Sequence, residues 1–245
     1  MKQVFVMLCA CFFLVWGLGA ASRVQSVSNK DEGSSPTYSG NERGIFRILF
    51  NGEQIGEEKF QIVADASNFR AFAEISLTVE REKDKATFTI KPLLQFKKTF
   101  EPISYEVLQE SGPNKMKAHV NFKPGRSEAL YETERQKDPR EIELRPDVVV
   151  LDDNVFHHYI LLARRYDFLK GGVQEFPAFI PQQFLAGTIS VEDKGMERVA
   201  LGGSPVPLQH LFVDSGELQF SLWLNKRHEL LKISVPKSNV DVERQ

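Results

Sequence analysis

Cysteine is nearly absent: the 245-residue chain has two, Cys9 and Cys11, both inside an apolar N-terminal stretch. Beyond that stretch there is no thiol, which excludes disulfides and a cysteine nucleophile there. Catalytic signatures are missing as well. There is no Gly-x-Ser-x-Gly elbow, no phosphate loop, no dinucleotide fingerprint and no His-Glu-x-x-His pair. Basic residues are not in excess: 31 Lys and Arg stand against 33 Asp and Glu, a net charge of −2. That balance argues against nucleic acid or an anionic membrane surface as partner. None of the nine asparagines begins an Asn-x-Ser/Thr site, which favours a bacterial source. No apolar run beyond the N-terminus is long enough to span a bilayer.

The N-terminal run itself is informative. Lys2 precedes an apolar block from Val4 to Trp16, and the small residues Gly17-Leu18-Gly19-Ala20-Ala21 follow. This is the pattern of a secretory signal peptide, residues 1–21, with cleavage after Ala21. An uncleaved anchor is the alternative, since 18 residues lie near the lower limit for a span. Leu8-Cys9-Ala10-Cys11 loosely resembles a lipobox, but the apolar block runs five residues past Cys11. Cleavage takes away both cysteines and Lys2, leaving 224 residues with 30 basic and 33 acidic groups. A chain of that length can hold one large domain without disulfides. The expected compartment is the periplasm or the extracellular space.

After the leader, residues 22–41 are rich in serine and poor in apolar side chains, and read as a flexible linker. Residues 236–245 read as a polar tail. Between them, residues 42–235 alternate with period two. Phe69, Ala71, Ala73, Ile75, Leu77 and Val79 share one strand face, and Ala118, Val120 and Phe122 share another. Leu218, Phe220, Leu222 and Leu224 repeat the pattern. One-sided alternation implies antiparallel pairing. Asn51-Gly52 between two such segments predicts a hairpin. Further breaks are expected at Lys137–Arg140 and Asp193–Gly195, among others, with Glu80–Lys85 as a solvated hairpin tip.

One segment has helical spacing, 154–169, with Asp152 and Asp153 placed to cap it and Gly171-Gly172 to end it. Leu161 and Phe168 extend its apolar face, so the helix is expected to be enclosed. The expected fold is mainly β: a large curved antiparallel sheet, or open β-barrel, of about eleven strands wrapping one α-helix. Phe176–Leu185 is apolar but broken by Pro177 and Pro181. It reads as an irregular connection or as a flap over a pocket, not as an internal strand.

Chemistry-bearing groups are scattered. His157-His158 point about 100° apart on a helix and cannot easily chelate one metal; Asp153 and His157 are spaced to face each other, with the histidine partly exposed. Ser204 reads as a turn. Trp223 lies on the polar side of its strand, covering the outside of the sheet or stacking on a partner. No catalytic residue, metal ligand set or cofactor is assigned. The residues placed to face a ligand are Tyr159, Leu162 and Tyr166 on the helix and Phe179 and Phe184 on the flap.

The opening hairpin Gly44–Gly56, the long antiparallel run, the helix after Asp152-Asp153 and the closing Leu222-Trp223-Leu224-Asn225 with Leu230–Ile233 together resemble the bacterial exported domain-of-unknown-function family 3108. The shape is similar to the open β-barrel of periplasmic lipoprotein carriers. The resemblance implies the fold and no catalytic residue. The expected function is that of a non-enzymatic envelope protein binding a lipid or other apolar or amphipathic molecule. The alternatives are a scaffold with an envelope protein partner and, behind it, a hydrolase of envelope polymers.

Overall fold

The computed structural model describes residues 36–81 and 84–245. The leader, the linker as far as Ser35 and the tip at 82–83 lie outside the described residues. One sheet of 15 strands makes up almost the whole domain. Its first half is a meander: β1 (Glu42–Phe50), β2 (Glu53–Asp65), β3 (Asn68–Arg81), β4 (Asp84–Lys97), β5 (Pro102–Ser111), β6 (Asn114–Asn121), β7 (Ser127–Thr133) and β8 (Lys137–Ile142). After the short β9 (Val149–Val150) and helix α1 (His158–Arg165), a second meander runs back. It contains β10 (Val173–Ile180), β11 (Leu185–Leu201), β12 (Ser204–Asp214), β13 (Gln219–Leu224), β14 (Leu230–Val235) and β15 (Val240–Arg244). Neighbours in the sheet are neighbours in sequence, except that β1 pairs with β15. All pairs are antiparallel except β9 with β10.

The alternation works as expected. Phe69, Ala71, Ala73, Ile75 and Leu77 are buried, as are Ala118 and Val120, and Phe220, Leu222 and Leu224. Asn51 and Gly52 close the first hairpin with positive φ at both positions, the geometry that two-residue turns require. Gly56 is needed for a different reason. A Cβ there would meet the Ser76 carbonyl oxygen at 2.1 Å, so only glycine lets β2 approach β3 this closely.

Among the described residues the strand count is fifteen rather than eleven, and the additional strands come from segments with weak patterns. The 236–245 tail is ordered: β15 pairs with β1 from Phe46↔Arg244 to Phe50↔Val240, joining the two ends of the meander. Its single buried apolar side chain, Val242, gave no periodic signal. The end of the linker is anchored too. Tyr38 is buried, edge-on to Phe69 and Phe96 at ring distances of 4.9 and 5.4 Å, and its backbone N–H donates to the Lys98 carbonyl. Asp193–Gly195 is a bulge inside β11 rather than a turn; Gly195 takes φ +84° and donates its N–H to Asp193 Oδ1. Lys137–Arg140 belongs to the outermost strand β8. Pro177 lies within β10, contrary to the proline rule as applied to the sequence. It is tolerated because β9, on the outer side of β10, pairs only with Ala178 and Phe179.

Strands β8 and β9 are the two ends of the sheet. Side chains bridge between the halves instead of a ladder. The Tyr131 hydroxyl on β7 donates to the Pro181 carbonyl. Phe122 meets Phe179 at 6.3 Å, and the Arg140 guanidinium lies 5.0 Å over Tyr131 and 5.2 Å over Phe184. The helix is shorter than the sequence spacing predicts, because Leu151–His157 is spent on turns that carry polar groups into the interior.

Candidate functional site

The two ends of α1 carry the chemistry, and they differ in kind. The N-terminal end enters a closed polar node. Glu58 points inward from β2 and is 0% exposed. Its carboxylate accepts the backbone N–H of Phe156 at 2.8 Å and of His157 at 3.0 Å, and it contacts His157 Nδ1. The His157 ring lies flat against Phe60 and 4.6 Å from the His158 ring. Tyr105 on β5 reaches the same place: its ring is 5.6 Å from His158 and its hydroxyl donates to Asp152 Oδ2 at 2.6 Å. Gln182 N–H donates to Asp152 Oδ1 at 2.9 Å, and the Gln183 amide donates to the Asp153 carboxylate at 2.9 Å.

This arrangement corrects the sequence expectations. Asp152 and Asp153 do not cap the helix; His157 is the N-cap residue, without a side-chain cap bond. The partner of His157 is Glu58, and both histidines are fully buried. Burial drives the electrostatics. It raises the Asp152 carboxyl to about 7, helped by the neighbouring Asp153 charge and opposed by the Tyr105 and backbone hydrogen bonds. It holds the His158 imidazole well below its ordinary range, helped by the adjacent His157. His157 Nε2 and both His158 nitrogens make no hydrogen bond of ordinary geometry. Among the described residues, no group of three or more His, Cys, Asp or Glu is arranged to hold a metal ion.

The C-terminal end of α1 opens into a cleft of about 210 Å³. Ala163, Arg164, Tyr166 and Phe168 line it from the helix end, Thr37, Tyr38 and Ser39 from the segment before β1, and His228 from the β13–β14 turn. The Phe168 and His228 rings lie 4.0 Å apart, tilted by 31°, and form the aromatic pair of the cleft. His228 sits at φ +56°, a left-handed conformation that aims the ring at Phe168. Arg164 donates to the Arg227 carbonyl at 3.2 Å and approaches Glu42 at 3.6 Å. Glu42 is held more tightly by Arg244, at 2.6 Å. Burial and then the Arg164 charge lower the pKa of His228, against an opposing effect of Asp193.

Of the five residues placed by sequence to face a ligand, Tyr166 lines this cleft. Leu162 and Phe179 are fully buried in the core, Tyr159 packs edge-on to Phe220 at 5.1 Å, and Phe184 belongs to the seam beside Tyr131. Trp223 is stacked on His210 at 5.1 Å on the sheet. Sequence reasoning missed Tyr38, Arg164, Phe168 and His228 in the cleft, and Glu58 and Tyr105 in the node. For Glu58 a signal existed: it shares strand parity with Phe60 and Ile62, both buried. The cleft comes from three separate segments and has no periodic signature.

Fold and site together define a β-barrel-like domain: an open sheet around one short helix, with a polar node inside and a cleft at its surface. Among solved structures, the chain is similar to the crystal structure of a β-barrel-like protein of domain of unknown function 1849 from Brucella abortus. That match has TM-score 0.56 and 7% identity, over 86% of this chain and 95% of the other. A protein of the domain-of-unknown-function family 1089 from Pseudomonas aeruginosa aligns with TM-score 0.44 and 10% identity, over 89% of this chain and 98% of the other. The first likeness supports a β-barrel-like fold and does not reach family 3108 in particular. No family model and no curated protein matches the chain.

Proposed function

We propose that this is an exported, non-catalytic envelope protein that binds an amphipathic molecule, and that the cleft at the C-terminal end of α1 is where it binds. The observation that carries this reading is the cleft lining, which sets the Phe168–His228 aromatic pair beside the Arg164 guanidinium. Whole small-molecule ligands usually occupy about 300–1,000 Å³. At 210 Å³ the cleft suits one end of an amphiphile. Exposed apolar surface for the rest follows in sequence: Leu169, next to Phe168, is 101% exposed, and Val173 at the start of β10 is exposed too. The leader motif supports the compartment.

The scaffolding alternative draws less support. Outer strand β8 carries Lys137, Pro139 and Arg140, residue types that discourage strand addition, and Trp223 is already engaged by His210. A hydrolase would need convergent carboxylates or a histidine constellation at the cleft, and His228 stands alone among the lining residues. Glu58, Asp152 and Asp153 lie in the closed node, and none of the residues lining the cleft is acidic. Mass spectrometry of small molecules co-purifying with the protein tests the binding reading. A stoichiometric amphiphile, released by unfolding, is expected. A clean protein that also takes up no added amphiphile overturns it.

A further inference from the structure

Resting on that reading, we infer that the cleft selects an anionic head group, with the oxyanion of a carboxylate or phosphate held by Arg164 and its apolar continuation lying on the Phe168–His228 pair. The donor inventory points this way. A guanidinium has five N–H donors and no acceptor. In Arg164 one nitrogen is engaged by the Arg227 carbonyl, and the other contact is a long 3.6 Å approach to a Glu42 that Arg244 already holds. Glu42 takes its closest contact from Arg244 and leaves Arg164 loosely paired beside the cleft. Arg164 thus keeps donor capacity at a site whose walls also offer the hydroxyl-bearing Thr37, Tyr38 and Ser39. The planar fork of arginine matches a carboxylate or phosphate with two parallel bonds. A neutral or cationic head group would leave Arg164 with only its long contact to Glu42 as an ionic partner.

The aromatic side of the cleft fixes the orientation. Phe168 and His228 are both half-buried and paired, so an apolar segment can lie against them while the oxyanion stays at Arg164. His228 also reports on occupancy. Arg164 helps to lower its pKa, so an anion beside Arg164 raises it toward the ordinary histidine range.

The test compares decyl phosphate, decanoate, decyl maltoside and inorganic phosphate, each below its micellar range, binding to the full-length protein by calorimetry. The His228 ring protons are followed by NMR as a function of pH. The two anionic amphiphiles are expected to bind about tenfold or more tighter than the maltoside, since hydrogen bonds to charged groups outweigh neutral ones. Arg164→Ala removes that preference and raises the His228 pKa without ligand, whereas Arg198→Ala, at an exposed position outside the cleft, changes neither. Inorganic phosphate binding as tightly as decyl phosphate would assign the site to a free oxyanion and overturn the role of the apolar segment. Equal binding of maltoside and anions would overturn the charge selection while leaving amphiphile binding in place. Binding of none of the three amphiphiles would overturn both readings.

Discussion

Helix α1 is eight residues long, and its two ends meet opposite environments. At the N-terminal end Glu58, Tyr105, Asp152, His157 and His158 are all sealed from water. There the carboxylate of Glu58 takes up two backbone N–H groups that the helix start would otherwise leave bare, although His157 Nε2 and both His158 nitrogens stay without an ordinary hydrogen bond. At the C-terminal end Arg164, Phe168 and His228 border a cleft, and the charge of Arg164 is only loosely answered. The difference separates two uses of polar side chains in one interior. Inside the fold, the hydrogen bonds of Glu58 and Asp152 hold the helix start against the sheet. Groups left partly unsatisfied at the surface are available to something else.

The sealed end should fail first when a partner is removed. Glu58→Ala strips the acceptor from two backbone N–H groups and from His157, all buried. Leaving a buried donor without its acceptor costs about 1–3 kcal/mol, and two backbone N–H groups lose theirs here. Urea unfolding is expected to show that loss in the midpoint without a matching change in slope. A loss below about 1 kcal/mol, the range of exposed ion pairs, would mean that the node is wet, and the contrast between the ends would collapse.

The pH dependence sharpens the same contrast. The Asp152 carboxyl is raised to about 7 from an ordinary 3.8, so the folded protein holds this proton more tightly than the unfolded chain. Its contribution to stability is fully present below pH 3.8 and is lost as pH rises through 7. About three pH units at 1.36 kcal/mol each make this about 4 kcal/mol. His158 acts in the opposite sense. Its folded pKa is depressed, so stability is lost as pH falls below the unfolded value of 6.5. Between pH 4 and 6.5 the two partly cancel, and the protein should show a shallow profile. Asp152→Asn removes one of them, and stability should then rise with pH across that window. Urea midpoints of both proteins from pH 4.5 to 8 check this; parallel profiles would mean that Asp152 does not titrate with folding.

These groups were unequally legible in the sequence. The sheet was readable because a period of two survives in Phe69–Leu77 and Phe220–Leu224, whatever the strands pair with. Strand β15 was not, since Val242 is its one buried apolar residue and its pairing with β1 depends on a residue almost 200 positions earlier. Glu58 sits in Glu57-Glu58-Lys59, which looks solvated, and only its parity with Phe60 and Ile62 turns it inward. That His157 is its partner could not be read at all, because 99 positions separate them and neither carries a pattern that names the other. The cleft was half-legible: Tyr166 was found through helical spacing, but Phe168 lies beyond the helix end and His228 on a distant turn.

At the open end the effects should fall on binding and leave stability nearly untouched. Phe168→Ala removes half of the aromatic pair from a half-buried position, so decyl phosphate binding should weaken by about tenfold, in line with an aromatic contact plus lost apolar area. Calorimetry on folded protein, with the unfolding midpoint measured in parallel, separates the two. A midpoint that drops as far as in Glu58→Ala, with binding intact, would make Phe168 a core residue and erase the distinction between the ends.

The smallest expected effect belongs to Leu169. Its side chain is 101% exposed, yet its backbone is not loose. Asp167 Oδ1 accepts the N–H groups of Leu169 and Lys170, the Asp167 carbonyl accepts those of Gly171 and the Gln174 amide, and the Tyr166 hydroxyl donates to the Gly172 carbonyl. Gly171 and Gly172 both take positive φ, which lets the turn close. A braced turn that holds a leucine in water gains nothing from it in the free protein. Leu169→Ser should therefore change stability by no more than about 0.5 kcal/mol. If the apolar end of a ligand leaves the cleft past Phe168, the same change should weaken decyl phosphate binding about threefold, a fraction of the transfer energy of a fully buried leucine. A shorter phosphate ester such as butyl phosphate, ending within the cleft, should not respond. Equal responses from the two esters would mean that the chain takes another route, and the turn would then mark a contact of its own.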